Sequence, residues 1–294
     1  MSSIIIGKHT LESLTSGMYS DSYVVFREYI QNSVDSIDEA VRVGVLNPGE
    51  EQITVRLAPT DRQIVIADNG LGIPVSDVEK TLVSIGNSKK SSENSRGFRG
   101  IGRLSALSYC QRLTFTTSFK GEPIATKIAI DASKLSRVLA DDSQEDVTML
   151  DVLKSVYSVE TVPEKEDTHY FSVQLDGVDD NSKLLSYADV EDYLSQNAPV
   201  PYSPDFIWGK EIVRRLNNEG FEIGAYNLSL EYGTKAVPIY KPYRDEFVVD
   251  KGKNLTDQLQ DIVIIRIPNE SEHLTAIGWL AKTNYMGSIY EKAI

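Results

Sequence analysis

Three polar side chains with helical spacing are the first candidates for chemistry in this chain of 294 residues. Asn32 and Asp35 follow Glu28 by four and seven residues in the segment REYIQNSVDSID. On a helix at about 100° per residue they fall within roughly 60° of one another, and the large apolar residues of the segment lie on the opposite side. A carboxylate and an amide on one helix face can hold a metal ion and a water molecule. A solvated helix face has the same composition, so the trio needs support from other segments.

A glycine-containing turn follows about 40 residues later. The segment RQIVIADNGLGI, residues 62–73, predicts a strand that ends at Asp68 and continues into a turn with Gly70 and Gly72. A carboxylate in this position can accept a hydrogen bond from the exocyclic amine of a base, and the glycines let the backbone approach a flat ring closely. Because Asp-Asn-Gly is also a common hairpin signal, the turn alone does not identify a ligand.

A basic, glycine-rich stretch lies further along, in IGNSKKSSENSRGFRGIGRLSAL, residues 85–107. Backbone N–H groups at such a turn and at a helix N-terminus favour anions, and the positive side chains add to this, so phosphates would fit. The motif is GxxGxG, which is neither the dinucleotide-binding GxGxxG nor a P-loop, and a flexible surface loop is the alternative. The glycines are Gly97, Gly100 and Gly102, and the basic residues are Lys89, Lys90, Arg99 and Arg103.

The three segments, in this order, resemble the signature of the GHKL ATPases. This superfamily joins gyrase B subunits, the ninety-kilodalton heat-shock chaperones, histidine kinases and the MutL repair proteins. The resemblance covers roughly residues 1–180 and is strongest to the heat-shock chaperones, because LESLTSGMYSDSYVVFREYIQNSVDSID follows their opening helices nearly step by step, including the turn at Tyr19-Ser20. GFRG is also similar to MutL, which leaves the subfamily open.

The resemblance implies a role for each polar residue of the helix and the turn. Glu28 would be the general base or the carboxylate that orients the attacking water, and Asn32 would supply an oxygen to Mg²⁺. Asp68 would accept the adenine amine. Gly70 and Gly72 would line the adenine pocket through their backbone. Asp35 is interpreted as a carboxylate that orients its neighbours at the pocket wall.

The resemblance also implies phosphate contacts from a lid that spans about residues 85–103. Its glycines would form the hinge that faces the phosphates, and Lys89 or Lys90 would reach a phosphate, with Arg99 adding charge. The family places a threonine beside the adenine on a late strand, and EDTHYFSVQL offers Thr168. The glycine that usually precedes this threonine is replaced by Asp167, so Thr168 is the weaker assignment.

The irregular order of helices and strands favours an α+β two-layer sandwich over a doubly wound sheet. The resemblance implies a mixed sheet with helices on one face, the GHKL or Bergerat fold. The periodicity predicts strands near 52–58, 62–67, 111–119, 123–130 and 168–175, and helices near 9–17, 22–43, 75–83, 102–109, 132–139 and 147–157.

The character of the sequence changes after residue 182. A helix near 187–196 precedes the proline-rich NAPVPYSP, and YNLSLEY, AVPIY, EFVV, DIVIIRI and LTAIGWLA then predict a second sheet from about residue 200 onward. We therefore predict an ATP-binding domain over 1–182, then a linker helix and an incomplete transducer-like domain over 183–294. Because the chain stops at GSIYEKAI, we expect an N-terminal fragment of a longer protein.

Composition narrows the function classes. A formal net charge of −13 disfavours direct nucleic-acid binding, because a phosphate backbone demands a basic face. The single cysteine, Cys110, excludes an internal disulfide, and the three scattered histidines support neither a zinc site nor a nucleophile. No apolar run approaches the roughly 20 residues of a membrane span, so we expect a cytoplasmic protein without membrane contact.

Three functions remain open. The first is a Mg²⁺-dependent, chaperone-type ATPase in which lid closure over ATP is coupled to the second domain, with ATP or ADP and client proteins as partners and a homodimer in the full-length protein. The second is a MutL- or topoisomerase-like ATPase associated with DNA. The third is a nucleotide-binding module with negligible turnover. For the first we expect weak hydrolysis by this fragment, because the basic contact to the γ-phosphate would be missing.

Overall fold

The computed structural model describes residues 21–83, 102–141, 149–250, 255–269 and 274–286, which form two compact units. The first unit comprises the described residues up to Ala198 together with Tyr226–Pro238. The second unit comprises Pro199–Ala225 and the described residues from Ile239 onward.

One mixed sheet of eight strands forms the first unit. The strands are β1 (Ile53–Ala58), β2 (Gln63–Asp68), β3 (Arg112–Ser118), β4 (Ile124–Asp131), β5 (Tyr157–Pro163), β6 (Tyr170–Asp176), β7 (Leu228–Tyr232) and β8 (Lys235–Pro238). Their order in the sheet is β5-β4-β3-β6-β2-β1-β7-β8, and the β1–β7 pair is parallel whereas the other neighbours are antiparallel. The α+β fold predicted from the sequence is confirmed.

The long helix α1 (Val24–Arg42) carries the polar trio and packs its apolar side into the core of this unit. Phe26, Ile30 and Ile37 are at most 3% exposed, as the amphipathic pattern predicts. The helix ends two residues before Gly44, whose φ of +73° is a left-handed conformation that glycine adopts without strain. The polar stripe is thereby fixed to a rigid, buried element.

Five further helices complete the described part of the fold. The remaining helices are α2 (Val78–Leu82), α3 (Ala132–Leu139), α4 (Met149–Val156), α5 (Tyr187–Asn197) and α6 (Gly209–Asn218). The predicted helix near 102–109 is a 3-10 helix over Gly102–Ser108. Strand β5 and helix α6 have no counterpart among the elements predicted from the sequence.

Strands β7 and β8 differ from the sequence prediction. YNLSLEY and AVPIY were predicted to belong to a second sheet, and this is wrong: β7 pairs in parallel with β1, and β8 pairs with β7. The burial of Leu228 and Leu230, 3% and 0% exposed, explains the placement, because these side chains enlarge the apolar layer of the first sheet.

A three-stranded antiparallel sheet forms the second unit together with α6. Its strands are β9 (Glu246–Asp250), β10 (Leu255–Pro268) and β11 (Leu274–Thr283), in the order β11-β10-β9. Ile212 and Leu216 of α6 share a buried cluster with Phe247 and Ile262 of the sheet. The strands predicted from EFVV, DIVIIRI and LTAIGWLA are therefore confirmed as strands of a second sheet.

The first unit extends past the predicted boundary at residue 182. Helix α5 buries Val190 and Leu194 in this unit, and Tyr193 stacks on Tyr23 with ring centroids 4.9 Å apart. Within the part of the chain that the structure describes, no helix is both long and apolar enough to cross a membrane.

Candidate functional site

Asp68 is the most unusual polar group of the first unit. It is the last residue of β2 and is 5% exposed. Its Oδ1 accepts a hydrogen bond from the Gly70 N–H at 2.9 Å, whereas its Oδ2 is buried with no hydrogen-bond partner among the described residues. Burial raises the pKa of Asp68 from 3.8 to about 7, although hydrogen bonds from the Ser33 side chain and the Gly70 backbone lower it. A buried acceptor without a partner is what a ligand with an N–H donor requires.

The two glycines after Asp68 are needed for close packing of the turn. A Cβ at Gly70 would lie 2.3 Å from Oγ of Ser36, on helix α1. Gly72 has a φ of +71°, and a Cβ there would lie 1.9 Å from the carbonyl oxygen of Ser118. No other residue type fits at these positions without moving backbone, so the turn is held tightly between α1 and the end of β3.

Hydroxyl groups at the end of β3 connect the same turn to the beginning of β6. Thr117 accepts a hydrogen bond from the Ile73 N–H at 2.9 Å and donates to the carbonyl of Tyr170 at 3.0 Å. Ser118 donates to the carbonyl of Thr168 at 3.1 Å. Thr168 itself is half-buried and lies two residues before β6. Its predicted role beside the adenine stays a prediction.

Glu28 faces the last glycine of the segment that the sequence assigns to phosphate binding. A Cβ at Gly102 would lie 1.9 Å from Oε2 of Glu28, so the carboxylate occupies the space that this glycine leaves open. Its Oε1 accepts from Nη2 of Arg27 at 3.1 Å, and the Glu28 side chain is 24% exposed. Two parts of the predicted signature, the polar stripe and the last glycine of GxxGxG, are therefore in contact.

The segment after Gly102 is anchored to α1 by a partly buried hydrogen bond. The Tyr29 hydroxyl donates to the carbonyl of Arg103 at 2.6 Å, and Nε of Arg103 donates to the carbonyl of Leu82 at 3.1 Å. Burial lowers the pKa of Arg103 to about 10, so the guanidinium is still charged at neutral pH. Arg103 therefore contributes positive charge at this end of α1.

Helix α1 connects both ends of the candidate site. Glu28 contacts Gly102, whereas Ser36 contacts the turn at Gly70. At about 1.5 Å per residue these helix positions are separated by about 12 Å along the axis, which suits an extended nucleotide. Asn32 and Asp35 are partly exposed and lie between Glu28 and Ser36 on the helix.

Part of the predicted site lies outside the described residues. Among residues 21–83, 102–141, 149–250, 255–269 and 274–286, no group of three or more His, Cys, Asp or Glu side chains could hold a metal ion. The predicted phosphate contacts and most of the predicted lid fall in the range 84–101, which the structure does not describe: Lys89, Lys90, Gly97, Arg99 and Gly100.

Sequence reasoning missed the residues that support the turn from behind. Ser33 and Ser36 directly follow Asn32 and Asp35 on α1, and Thr117 and Ser118 end β3. Short hydroxyl residues are common in helices and strands, so only their contacts with the turn distinguish them. His169, which also contacts the turn, was set aside because no motif surrounds it.

Comparison with known proteins supports the resemblance to the GHKL ATPases. The family model described as "Histidine kinase-, DNA gyrase B-, and HSP90-like ATPase" matches residues 19–158. This range contains α1, the turn after Asp68 and Gly102. Residues 19–158 are therefore similar to a GHKL-type ATPase domain, and the eight-stranded mixed sheet is consistent with that fold.

The relatives of this domain are chaperones. The chain is 28% identical to "Chaperone protein HtpG" of Alcanivorax borkumensis over 132 residues, which are 39% of this chain and 22% of that protein. It is 27% identical to the protein of the same name from Halalkalibacterium halodurans over 131 residues, 39% of this chain and 21% of the relative. It is also 27% identical to the protein of this name from Chromobacterium violaceum over 138 residues, which are 41% of this chain and 22% of the relative. The matched segment thus spans about a fifth of the relatives' length.

Proposed function

We propose that this chain binds ATP along α1 and hydrolyses it in a chaperone-type cycle. The observation that carries the proposal is the buried Oδ2 of Asp68, which has no hydrogen-bond partner among the described residues. An adenine amine is a donor of the right kind, and its hydrogen bond would offset the cost of burying the carboxylate.

The glycines of the turn hold the backbone beside Asp68 in place. Gly70 packs its bare backbone against α1, and Gly72 packs against the end of β3, so the carboxylate has a fixed position. Asp68 would accept the amine and fix the orientation of the base. Thr168, two residues before the neighbouring strand β6, would complete this end of the site.

Glu28 and Asn32 would act at the phosphate end. Phosphoryl transfer to water depends on positioning and charge stabilisation, so a carboxylate held against Gly102 would orient the attacking water and accept its proton. The amide oxygen of Asn32, one turn along the helix, would hold Mg²⁺, which would neutralise charge on the phosphates. Lys89, Lys90 and Arg99 would add positive charge from the lid.

Calorimetry with ADP and a non-hydrolysable ATP analogue, with and without Mg²⁺, tests binding. We expect saturable 1:1 binding, with the analogue more dependent on Mg²⁺ than ADP. Replacing Asp68 with Asn should weaken ADP binding by an amount on the order of 1–3 kcal/mol. Absence of ADP binding, or equal affinity in Asp68→Asn, would remove Asp68 from the site.

Phosphate release tests hydrolysis separately. Glu28→Gln keeps the size of the side chain and should lower turnover by about 10²-fold or more while ADP affinity is unchanged. Glu39→Gln, on the same helix beyond the polar stripe, is the matched control and should keep the wild-type rate. Binding with turnover equal in wild type and Glu28→Gln would favour the nucleotide-binding module, and vigorous wild-type turnover would contradict the expected weak hydrolysis.

The coupling to other parts of the protein belongs to the same proposal. We expect lid closure over ATP, transmission to a transducer-like region beyond residue 182, dimer contacts in the full-length protein, and client proteins as partners in the cytoplasm. The similarity to HtpG favours this over a DNA-associated ATPase, as does the formal net charge of −13. A salt-sensitive affinity for DNA would reverse that preference.

A further inference from the structure

His169 holds the carbonyl of Gly70 in the turn that carries the candidate base-recognition site. Nδ1 of His169 lies 2.8 Å from the Gly70 oxygen. Because a carbonyl oxygen only accepts, Nδ1 carries the hydrogen and donates. The ring is partly buried, and it reaches the turn from the strand next to β2.

The position of His169 follows from the register of the sheet. Asp68 is paired with Phe171 in the antiparallel β2–β6 ladder. Extending this ladder by two residues would place Gly70 opposite His169. The two strands end at Asp68 and Tyr170, before that pair could form. The imidazole therefore supplies a hydrogen bond to the turn where the backbone ladder has stopped.

The peptide group between Gly70 and Leu71 is held at both of its polar atoms. Its carbonyl accepts from His169, and the Leu71 N–H donates to the carbonyl of Ser36 on α1 at 3.2 Å. The preceding N–H, that of Gly70, donates to Oδ1 of Asp68. Because this peptide is fixed, the neighbouring Gly70 N–H stays on Oδ1 of Asp68. Oδ2 is then the carboxylate oxygen that has no hydrogen-bond partner among the described residues.

We infer that His169 is a positioning residue for base selectivity: its Nδ1–H orients the Gly70 peptide so that Asp68 presents Oδ2 to an exocyclic amine. This inference rests on the proposed nucleotide binding. The ligand class that it selects is a 6-aminopurine, because a purine with a 6-keto group places an acceptor opposite the carboxylate, where two acceptors repel. Selectivity and affinity are therefore separable in an experiment.

Calorimetric affinities for ADP and for inosine diphosphate test this in the whole chain. The wild type should prefer ADP, and His169→Ala should reduce that preference about three- to tenfold, with the loss in ADP affinity and little change for inosine diphosphate. His169→Asn should restore the wild-type preference, because its amide nitrogen lies close to the position of Nδ1. His169→Gln places the nitrogen further out and should behave like His169→Ala.

The outcomes distinguish a failure of the role inferred for His169 from a failure of the proposed nucleotide binding. If the wild type binds neither nucleotide, the proposed function fails. If the wild type prefers ADP and His169→Ala keeps the same preference, the role of His169 is refuted. An equal loss for both nucleotides would indicate a purely structural role and refute it too. If His169→Ala does not unfold cooperatively, the comparison of His169→Asn with His169→Gln decides, and equal selectivity in these two overturns the inference.

Discussion

Replacing Asp68 with Asn should make the protein more stable and its nucleotide site weaker. Asp68 is 5% exposed, and burial raises its pKa from 3.8 to about 7. At pH 8 the carboxylate is charged in the folded protein without enough hydrogen bonds to offset its desolvation. Asparagine has the same shape and resembles the protonated acid, so the variant removes the charge and keeps the packing.

The size and the pH dependence of this stability change follow from the pKa values of Asp68 in the unfolded and folded protein. In the unfolded chain the carboxyl ionises near 3.8, whereas in the folded protein it ionises near 7. Between these values the folded state binds more protons than the unfolded state, so the free energy of unfolding falls as pH rises. A pKa difference of one corresponds to about 1.4 kcal/mol, and the ionised carboxylate thus destabilises the fold by about 4 kcal/mol above pH 7.

Urea unfolding of the nucleotide-free proteins at pH 5, 6, 7 and 8 measures this effect. The free energy of unfolding of Asp68→Asn should exceed that of the wild type by about 4 kcal/mol at pH 8 and by about half of this or less at pH 5. The matched control is Asp77→Asn, an exposed aspartate that should leave the pH profile unchanged. Parallel pH profiles for the wild type and Asp68→Asn would refute the reasoning. Saturating ADP should reduce the advantage of the variant, because ADP stabilises the wild type more.

Three further substitutions test the contacts around the site and the core. Gly102→Ala places a Cβ where the Glu28 carboxylate lies, and this carboxylate should move away because it ends a flexible side chain. We expect ATP turnover to fall at least tenfold and the free energy of unfolding to change by less than about 1 kcal/mol. Unchanged phosphate release would contradict this. Gly72→Ala combines a φ of +71° with a clash against backbone. It should lower the free energy of unfolding in urea by more than about 2 kcal/mol and weaken ADP binding in calorimetry. Wild-type behaviour in both assays would show that the turn is looser than described. Tyr226→Phe removes a hydrogen bond of 2.5 Å to Asp38. It should lower the free energy of unfolding by about 1–2 kcal/mol in the same assay and leave ADP affinity unchanged. An altered affinity would implicate this contact in the site.

The sequence predicts the elements of the site better than it predicts their surroundings. Helix α1 follows from its amphipathic period and ends near Gly44, and β2 with its turn follows from alternation into Asp-Asn-Gly. These patterns are local, so they can be read without knowing which elements are neighbours. Strand β5 was missed because it follows α4 directly, with no turn residues between them.

The support of the site depends on contacts between distant segments. The partner of β7 is β1, about 175 residues earlier in the chain, and alternation in LSLEY fits a strand in either sheet. The same limit applies to Ser36 and Thr117, because a hydroxyl in a helix or strand has no pattern that reveals which turn it contacts. Register supplies the missing information for His169, since its place opposite Gly70 follows once β2 and β6 are paired.

The parallel pairing of β7 with β1 affects where this protein can be shortened. Ile53 N–H donates to the carbonyl of Asn227 at 2.8 Å, and the ladder continues along the whole of β7. A polypeptide cut after residue 182 would lose this partner, leaving the edge of β1 that faces β7 unpaired beside Val55 and Leu57, which are buried in the intact chain. Exposed strand edges next to apolar side chains promote self-association. Recombinant versions of the first unit should therefore extend through Pro238 to keep this edge of β1 covered.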